Sequence, residues 1–255
     1  MRDIIGKVVC NEKIARDIYK IIFQCDNVDD IVGGQFVNVQ LPSKEKLLRR
    51  PFCICDCDKT NNTITICYAI VGQGTQDLSA VECGKELKLL LPLGNGFVPQ
   101  NGARIMLVGG GMGCAVLPAV ARLNPTCKFD AYLGFANKDK VILDKEMATL
   151  SEKTVICTDD GSCGQKGFVT TCARQNVEID KPDAIFCCGP EVMYKALAKA
   201  FADVDIPIFV SLERRMGCGI GACLVCNCLV KRNGKEGYLR ACKDGPVFLL
   251  SEVIL

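Results

Sequence analysis

The feature that most constrains this chain is a change of hydrophobic rhythm near Asn101-Gly102. Before it, short runs rich in Val, Ile, Tyr and Phe recur at residues 7–10, 18–25, 35–41, 52–57, 63–71 and 86–91. Turn formers such as Gly33-Gly34, Pro42-Ser43 and Cys83-Gly84 separate them. Such runs predict an antiparallel β-barrel or sandwich over residues 1–98. One short helix is expected at residues 76–81, with Thr75 as its N-cap. After the break, strands expected at 104–108, 128–133, 154–158 and 184–188 alternate with helices at 115–123, 143–150, 168–174 and 191–202. Alternation of this kind predicts a parallel, doubly wound α/β nucleotide-binding domain over residues 101–210. In the last helix Met193, Leu197, Ala200 and Phe201 recur at helical spacing, as on a face laid against a sheet.

From about Ser211 the composition shifts again. Glycine and cysteine crowd residues 217–228 and leave no room for a long helix, so residues 211–255 read as a small third module. Within it Cys218, Cys223, Cys226 and Cys242 are spaced C-x4-C-x2-C-x15-C. The first three match the spacing that wraps a loop around a plant-type 2Fe–2S cluster. Gly217, Gly219 and Gly221 let such a loop turn tightly and aim backbone N–H groups at sulfur. A structural zinc site shares the Cys223-x-x-Cys226 element and stays open as the alternative. The glycine-filled first spacing favours iron–sulfur. Cys228 reads as a core neighbour of these ligands.

Composition narrows the chemistry. The chain has no histidine, which excludes His-based triads, His-ligated zinc or haem, and Rieske clusters. Chemistry must then run on cofactors, carboxylates, lysines or thiols, and no side chain is singled out as catalytic. Nineteen cysteines in a short secreted chain would suggest a disulfide scaffold. In 255 residues rich in aliphatic strands they are not needed as bridges. Cys55, Cys67, Cys157 and Cys187 sit in apolar runs and read as small buried hydrophobes of a reducing cytoplasm. A net charge of +2 argues against nucleic acid as a partner. The densest basic stretch, residues 44–50, contains Glu45 and reads as solvated loop. There is no secretory signal, and no apolar run approaches the roughly 18 residues that span a bilayer, so neither membrane nor export is expected.

The nucleotide motifs fall where this layout needs them. Gly109, Gly110, Gly111 and Gly113 follow a buried strand and open a helix-like stretch, the setting in which glycine lets the backbone approach a pyrophosphate. The third fingerprint glycine is missing. Cys188-Gly189-Pro190 ends a strand, and ligands of open α/β sheets bind beyond strand carboxyl ends. In the barrel half, Arg49-Arg50-Pro51-Phe52 puts a guanidinium at a strand start, where it could clamp a diphosphate. Gly72-Gln73-Gly74-Thr75 before a short helix could take a second phosphate. Asp159 and Asp160 read as turn residues that could also discourage a 2′-phosphate.

Together these motifs resemble the ferredoxin–NADP reductase superfamily and, within it, the electron transfer subunits of dihydroorotate dehydrogenase B. The most specific stretch is residues 211–226 with Cys242 downstream. The resemblance implies FAD held by Arg50, Pro51, Phe52, Cys53, Gly74 and Thr75, with Cys67, Tyr68 and Ala69 along the flavin. It implies NAD as co-substrate and a 2Fe–2S cluster on the four cysteines. The chain departs from the family at Cys53, where Ser or Thr is usual, and at Val116, where many relatives carry Pro. The implied partner is an FMN-containing dihydroorotate dehydrogenase chain, two of each, whose electrons reach NAD+ through the cluster and FAD during pyrimidine (UMP) biosynthesis. A second reading is the flavin and iron–sulfur subunit of a ferredoxin–NAD(P) oxidoreductase or sulfide dehydrogenase. That branch tends to place Asp where this chain has Cys218. A non-catalytic redox or zinc-stabilised sensor is the third.

Overall fold

The structure is a computed structural model that describes residues 1–43, 47–177 and 181–255. Residues 44–46 of the basic stretch lie outside the described residues. The amino-terminal half is a wholly antiparallel sheet of β1 (Arg2–Ala15), β2 (Ile18–Gln24), β3 (Phe36–Val39), β4 (Arg50–Cys53), β5 (Asp56–Asp58), β6 (Thr63–Ala69) and β7 (Glu86–Leu93). Its order is β4-β3-β7-β1-β2-β6-β5. The two edge strands, β4 and β5, are consecutive in the chain and are joined only by Ile54 and Cys55. Ile54 N donates to Gln35 O at 3.0 Å, while Cys55 N donates to Thr65 O of β6 at 2.8 Å. The sheet therefore curls until its edges meet, as in a barrel. This divides the single strand expected at 52–57. Ile54 and Cys55 turn into the core and pass the chain from one edge to the other.

The first strand is also longer than its sequence signal. Register shifts between Val8 and Cys10 and between Lys13 and Ala15 let β1 bend along both β2 and β7. The short helix α1 (Gln73–Ser79) starts earlier than expected, with Gly72 as N-cap. Thr75 is not the N-cap. It is the third helical residue, and its hydroxyl accepts from Val71 N at 2.9 Å and donates to Gly72 O at 3.0 Å. From the third helical position the hydroxyl reaches back to the backbone N–H groups just ahead of the helix, where an N-cap side chain would instead accept from N–H groups inside the first turn.

The second sheet has the order β11-β10-β9-β8-β12-β13-β16. Its strands are β8 (Arg104–Gly110), β9 (Lys128–Phe135), β10 (Lys153–Thr158), β11 (Gln165–Lys166), β12 (Ala184–Cys188) and β13 (Ile208–Ser211), all parallel. Helices α2 (Leu117–Arg122) and α3 (Asp144–Leu150) pack on one face, and α4 (Val169–Asn176) and α5 (Glu191–Ala200) on the other. This is the doubly wound arrangement. The helix expected at 115–123 is shorter, because Ala115 and Val116 belong to a 3-10 turn over Gly111–Val116 that opens at Gly111, φ +56°. Strand β13 carried no separate sequence signal, since four residues before a glycine-rich loop give too short a pattern.

The cysteine-rich segment ends in a hairpin, β14 (Asn227–Arg232) with β15 (Lys235–Arg240), and then returns. Strand β16 (Val247–Leu249) adds antiparallel to β13 and closes that edge of the nucleotide sheet. The side chain of Asn95, at the end of the barrel, pairs with β16 as a peptide would. Its Oδ1 accepts from Val247 N at 3.0 Å and its Nδ2 donates to Val247 O at 3.2 Å. Barrel and nucleotide sheet also touch through backbone. A Cβ on Gly33 would stand 2.5 Å from Val120 Cα in α2. Gly33→Ala should therefore wedge the two sheets apart and cost about 1–3 kcal/mol. A lower urea midpoint with an unchanged slope checks this.

Candidate functional site

Cys218, Cys223 and Cys226 lie in one loop, and Cys242, beyond the β14–β15 hairpin, returns beside it. Cys226 and Cys242 are buried, Cys218 is half-buried and Cys223 is exposed. They form two pairs. Cys218 N donates to Cys223 Sγ and Cys223 N to Cys218 Sγ, both at 3.4 Å, and Cys242 N donates to Cys226 Sγ at 3.4 Å. Further N–H groups point at sulfur: Ile220 and Ala222 to Cys218 at 3.4 and 3.3 Å, and Gly221 to Cys242 at 3.1 Å. Partial burial opposes ionisation of Cys218, yet the N–H groups of Ile220, Cys223 and Ala222 outweigh it and bring the thiol down to about 6. In the other pair, burial and then the Cys226 thiol hold Cys242 well above the usual thiol range.

Backbone N–H groups that stabilise negative sulfur suit an iron–sulfur cluster, whose charge sits on its sulfurs. Two thiol pairs suit two metal ions, each taking one pair. Among the described residues no group of three or more Cys, Asp or Glu side chains gathers around one point. Cys228 lies outside the ring. It is buried on β14, and its Sγ faces Cys226 O at 3.8 Å. Sequence reading missed what holds the loop. Arg240 clamps Asp244 through Nε and Nη2 at 2.8 and 2.9 Å, and its Nη1 donates to Gly221 O at 3.1 Å.

A cleft of about 590 Å³ opens beyond the carboxyl ends of β8 and β12, where the strand order reverses. Gly110, Gly111, Gly113, Gly189 and Pro190 line it. The glycines are needed for different reasons. A Cβ on Gly113 would meet Cys188 O at 2.2 Å, and one on Gly110 would meet Met193 Sδ at 2.6 Å, so Gly113 serves contact with the Cys188–Pro190 turn and Gly110 contact with α5. Gly109 is required by Cys114 behind it. Only Gly111, at positive φ, has open space where a Cβ would stand. Gly109 and Cys188 are buried and do not line the cleft. Asp159 lines the cleft, whereas Asp160 is a turn residue whose Oδ1 accepts from Ser162 N at 2.9 Å.

At the barrel edge, Arg50 Nε lies 3.9 Å from the place of a Cβ on Gly74, so the arginine and the Gly72–Thr75 turn meet. The Thr75 hydroxyl is occupied by that turn. On β6 the side chains alternate. Cys67 and Ala69 face the nucleotide domain, while Tyr68 points into the barrel core and its OH donates to Asn11 Oδ1 at 2.9 Å. Phe52 packs partly into that core beside Tyr68. Pro51 and Cys53 are half-buried.

Two residues of this region carried no sequence signal. The buried hydroxyl of Tyr194 accepts from Gly189 N at 3.0 Å and donates to Ser211 O at 2.5 Å, so it ties the Cys188–Pro190 turn to β13. Glu213 lines the cleft. Much of its surface is open to that cleft, but the protein enclosing its carboxyl strips away solvent and raises its pKa. Burial and then the Glu213 carboxylate push the Cys53 thiol up to about 12. Cys188 is raised by burial, then by Cys53 and Glu213. The thiols of Cys53 in the barrel and Cys188 at the end of β12 thus lie near Glu213 at the start of the third module.

A barrel joined to a doubly wound sheet, with a four-thiol loop beside them, defines a ferredoxin-reductase-like flavin and nicotinamide protein with an iron–sulfur module. Residues 213–254 match the iron–sulfur cluster binding domain of dihydroorotate dehydrogenase B. The dihydroorotate dehydrogenase B (NAD+) electron transfer subunit of Streptococcus mutans is 40% identical over 97% of this chain and 96% of its own length. That of Clostridium acetobutylicum is 38% identical over 98% and 97%. The chain belongs to the family of dihydroorotate dehydrogenase B electron transfer subunits. Among solved structures, an NADH-dependent reduced ferredoxin–NADP oxidoreductase superposes with a TM-score of 0.84, at 28% identity over 98% of this chain and 89% of that one. Phthalate dioxygenase reductase shares the fold, with a TM-score of 0.66 at 17% identity over 94% and 77%. The iron–sulfur domain and the flavin- and NAD-binding fold support FAD, a 2Fe–2S cluster and NAD as the cofactors.

Tyr194→Phe should cost about 1–3 kcal/mol, because it leaves Gly189 N–H and Ser211 C=O buried without their partner. The fall in thermal midpoint, and a weaker Kd for NADH, measure it.

Proposed function

We propose that this chain takes electrons drawn from dihydroorotate by an FMN-containing partner and delivers them to NAD+, in the cytoplasm, as a step of pyrimidine synthesis. Its functional units are residues 1–98 for FAD, 101–210 for NAD and 211–255 for the cluster. The observation that carries the reading is the cysteine loop, which faces outward and inward at once. Cys223 is exposed within an apolar rim of Ile220, Leu224 and Val225, exposed by 41%, 57% and 57%, which suits a docking partner. The other side of the loop rests on the barrel.

Cys218 and Cys223 would hold one iron, and Cys226 and Cys242 the other. Arg50, Pro51, Phe52 and Cys53, with the Gly74-Thr75 turn and the Cys67–Ala69 backbone, would hold FAD. Gly109 to Gly113 and Cys188 to Pro190 would form the platform for NAD. When bound, the cluster supplies single-electron transfer and the flavin converts it to hydride chemistry. The protein's own contribution includes a proton. Hydride leaving the cleft carries one proton with two electrons, whereas electrons arriving through a cluster bring none. The Glu213 carboxyl, which lines the cleft, lies near the thiols of Cys53 and Cys188 and is raised in pKa, would hold that proton in a chain without histidine.

The alternative, a ferredoxin-linked oxidoreductase, rests on the 28% match and is weighed against by Cys218 and by relatives near 40% identity. Co-purification with an FMN-containing dihydroorotate dehydrogenase chain should give NAD+-dependent orotate formation. A complex fully loaded with both flavins and the cluster, yet unable to do this, would overturn the reading.

The pH dependence tests Glu213. A raised pKa keeps the carboxyl protonated above the ordinary glutamate range, so donation persists at low pH and fades as pH rises through that value. Glu213→Gln should lower NADH formation by roughly 10²-fold and abolish this alkaline decline. A variant that keeps the wild-type rate and profile removes Glu213 from the role.

A further inference from the structure

The cluster loop is hydrogen-bonded from its own module by Arg240 and from the barrel by Asn38. Asn38 lies on β3 and is 2% exposed. In the ladder it stands opposite Pro51 of β4 on one side and Leu90 of β7 on the other. Its Nδ2 donates to the carbonyl oxygen of Cys218 at 3.4 Å. Its Oδ1 is buried and, among the described residues, has no hydrogen-bond partner. The fit against the loop is close. Gly219 is buried at φ +71°, and a Cβ there would stand 2.1 Å from Asn38 Nδ2. Glycine at this position therefore answers two demands, the left-handed turn and the approach of the Asn38 amide.

A buried amide with one unused acceptor is costly, and an apolar residue would fill a barrel strand more cheaply. Keeping it makes sense if the amide does something the barrel does not need for itself. We infer that Asn38 is a positioning residue for the cluster, fixing the peptide that follows Cys218 against the strand beside Pro51, so that the flavin-side strand and the first cluster ligand keep one register. The inference rests on the cluster reading above. It concerns how the loop is held, and it does not depend on which donor fills the cluster.

Two variants test it in the full chain with its cluster loaded and in the apoprotein. Asn38→Ala removes the amide. Asn38→Asp keeps the shape but sets a carboxylate oxygen against the Cys218 carbonyl. In the apoprotein, amide hydrogen exchange across residues 217–223 should rise by about tenfold while β3 and β4 keep their protection. In the loaded chain, the electron paramagnetic resonance spectrum of the reduced cluster should change its g values, since the loop's N–H groups aim at the sulfurs. Asn38→Asp should show the larger effect. Unchanged loop exchange and an unchanged spectrum would overturn the inference. So would equal loss of protection in β3 and β4, which would make Asn38 a barrel residue only. Absence of a reduced-cluster signal in the unaltered protein would instead sink the cluster reading, so the two failures are distinguishable. If Asn38→Ala does not fold, the isosteric Asn38→Asp carries the test alone.

Discussion

The return of the chain at β16 is the constraint on which the rest of the structure depends. Strand β16 pairs with β13 and is capped on its far side by the Asn95 side chain, which supplies the donor and acceptor that a further strand would. An exposed sheet edge is thereby closed, and the closing strand belongs to the cluster module. One apolar core then runs from Phe36 and Leu93 of the barrel, through Met106 and Val108 of the nucleotide sheet, to Cys226 and Cys242. Barrel, sheet and module cannot drift independently. A relay that passes electrons between cofactors needs that rigidity, because its geometry must be set before the cofactors arrive.

Backbone does most of the polar work in the three candidate sites. Around the cysteines, N–H groups of Ile220, Gly221 and Ala222 face sulfur. At the cleft, the Gly109–Gly113 and Cys188–Pro190 loops lie against each other so closely that Gly113 leaves no room for a methyl group beside the Cys188 carbonyl. Loops of this kind present dipoles without titratable side chains. That suits a chain with no histidine to redox chemistry.

The sites were legible in part. The cysteine spacing and glycine loops are local patterns, and the structure sets the four thiols in two neighbouring pairs and Arg50 beside Gly74. The residues that hold those patterns in place were not legible. Tyr194 acts on Gly189 and Ser211, Arg240 on Gly221, and Asn38 on Cys218, a carbonyl 180 residues away. Nothing in their local sequence marks them, because a tyrosine on an amphipathic helix and an asparagine in a strand look ordinary. Thr75 was misplaced for a related reason. A threonine can satisfy a helix start as N-cap or from the third position, and only the extended backbone at Gly72 chooses between them.

By itself the sequence determined what depends on neighbours along the chain: the antiparallel half, the alternating half, the quartet of cysteines and the lack of any imidazole chemistry. Tertiary structure decided what depends on contacts across the chain. It split residues 52–57 between two sheet edges, turned Tyr68 inward, and brought Glu213 to Cys53 and Cys188. It also separated the glycines that make room for a neighbouring loop from Gly111, which faces open space. The physical reason is the same throughout. Spacing along a chain specifies local dihedrals and faces, but whether a position is free or filled is set by atoms that only folding brings near.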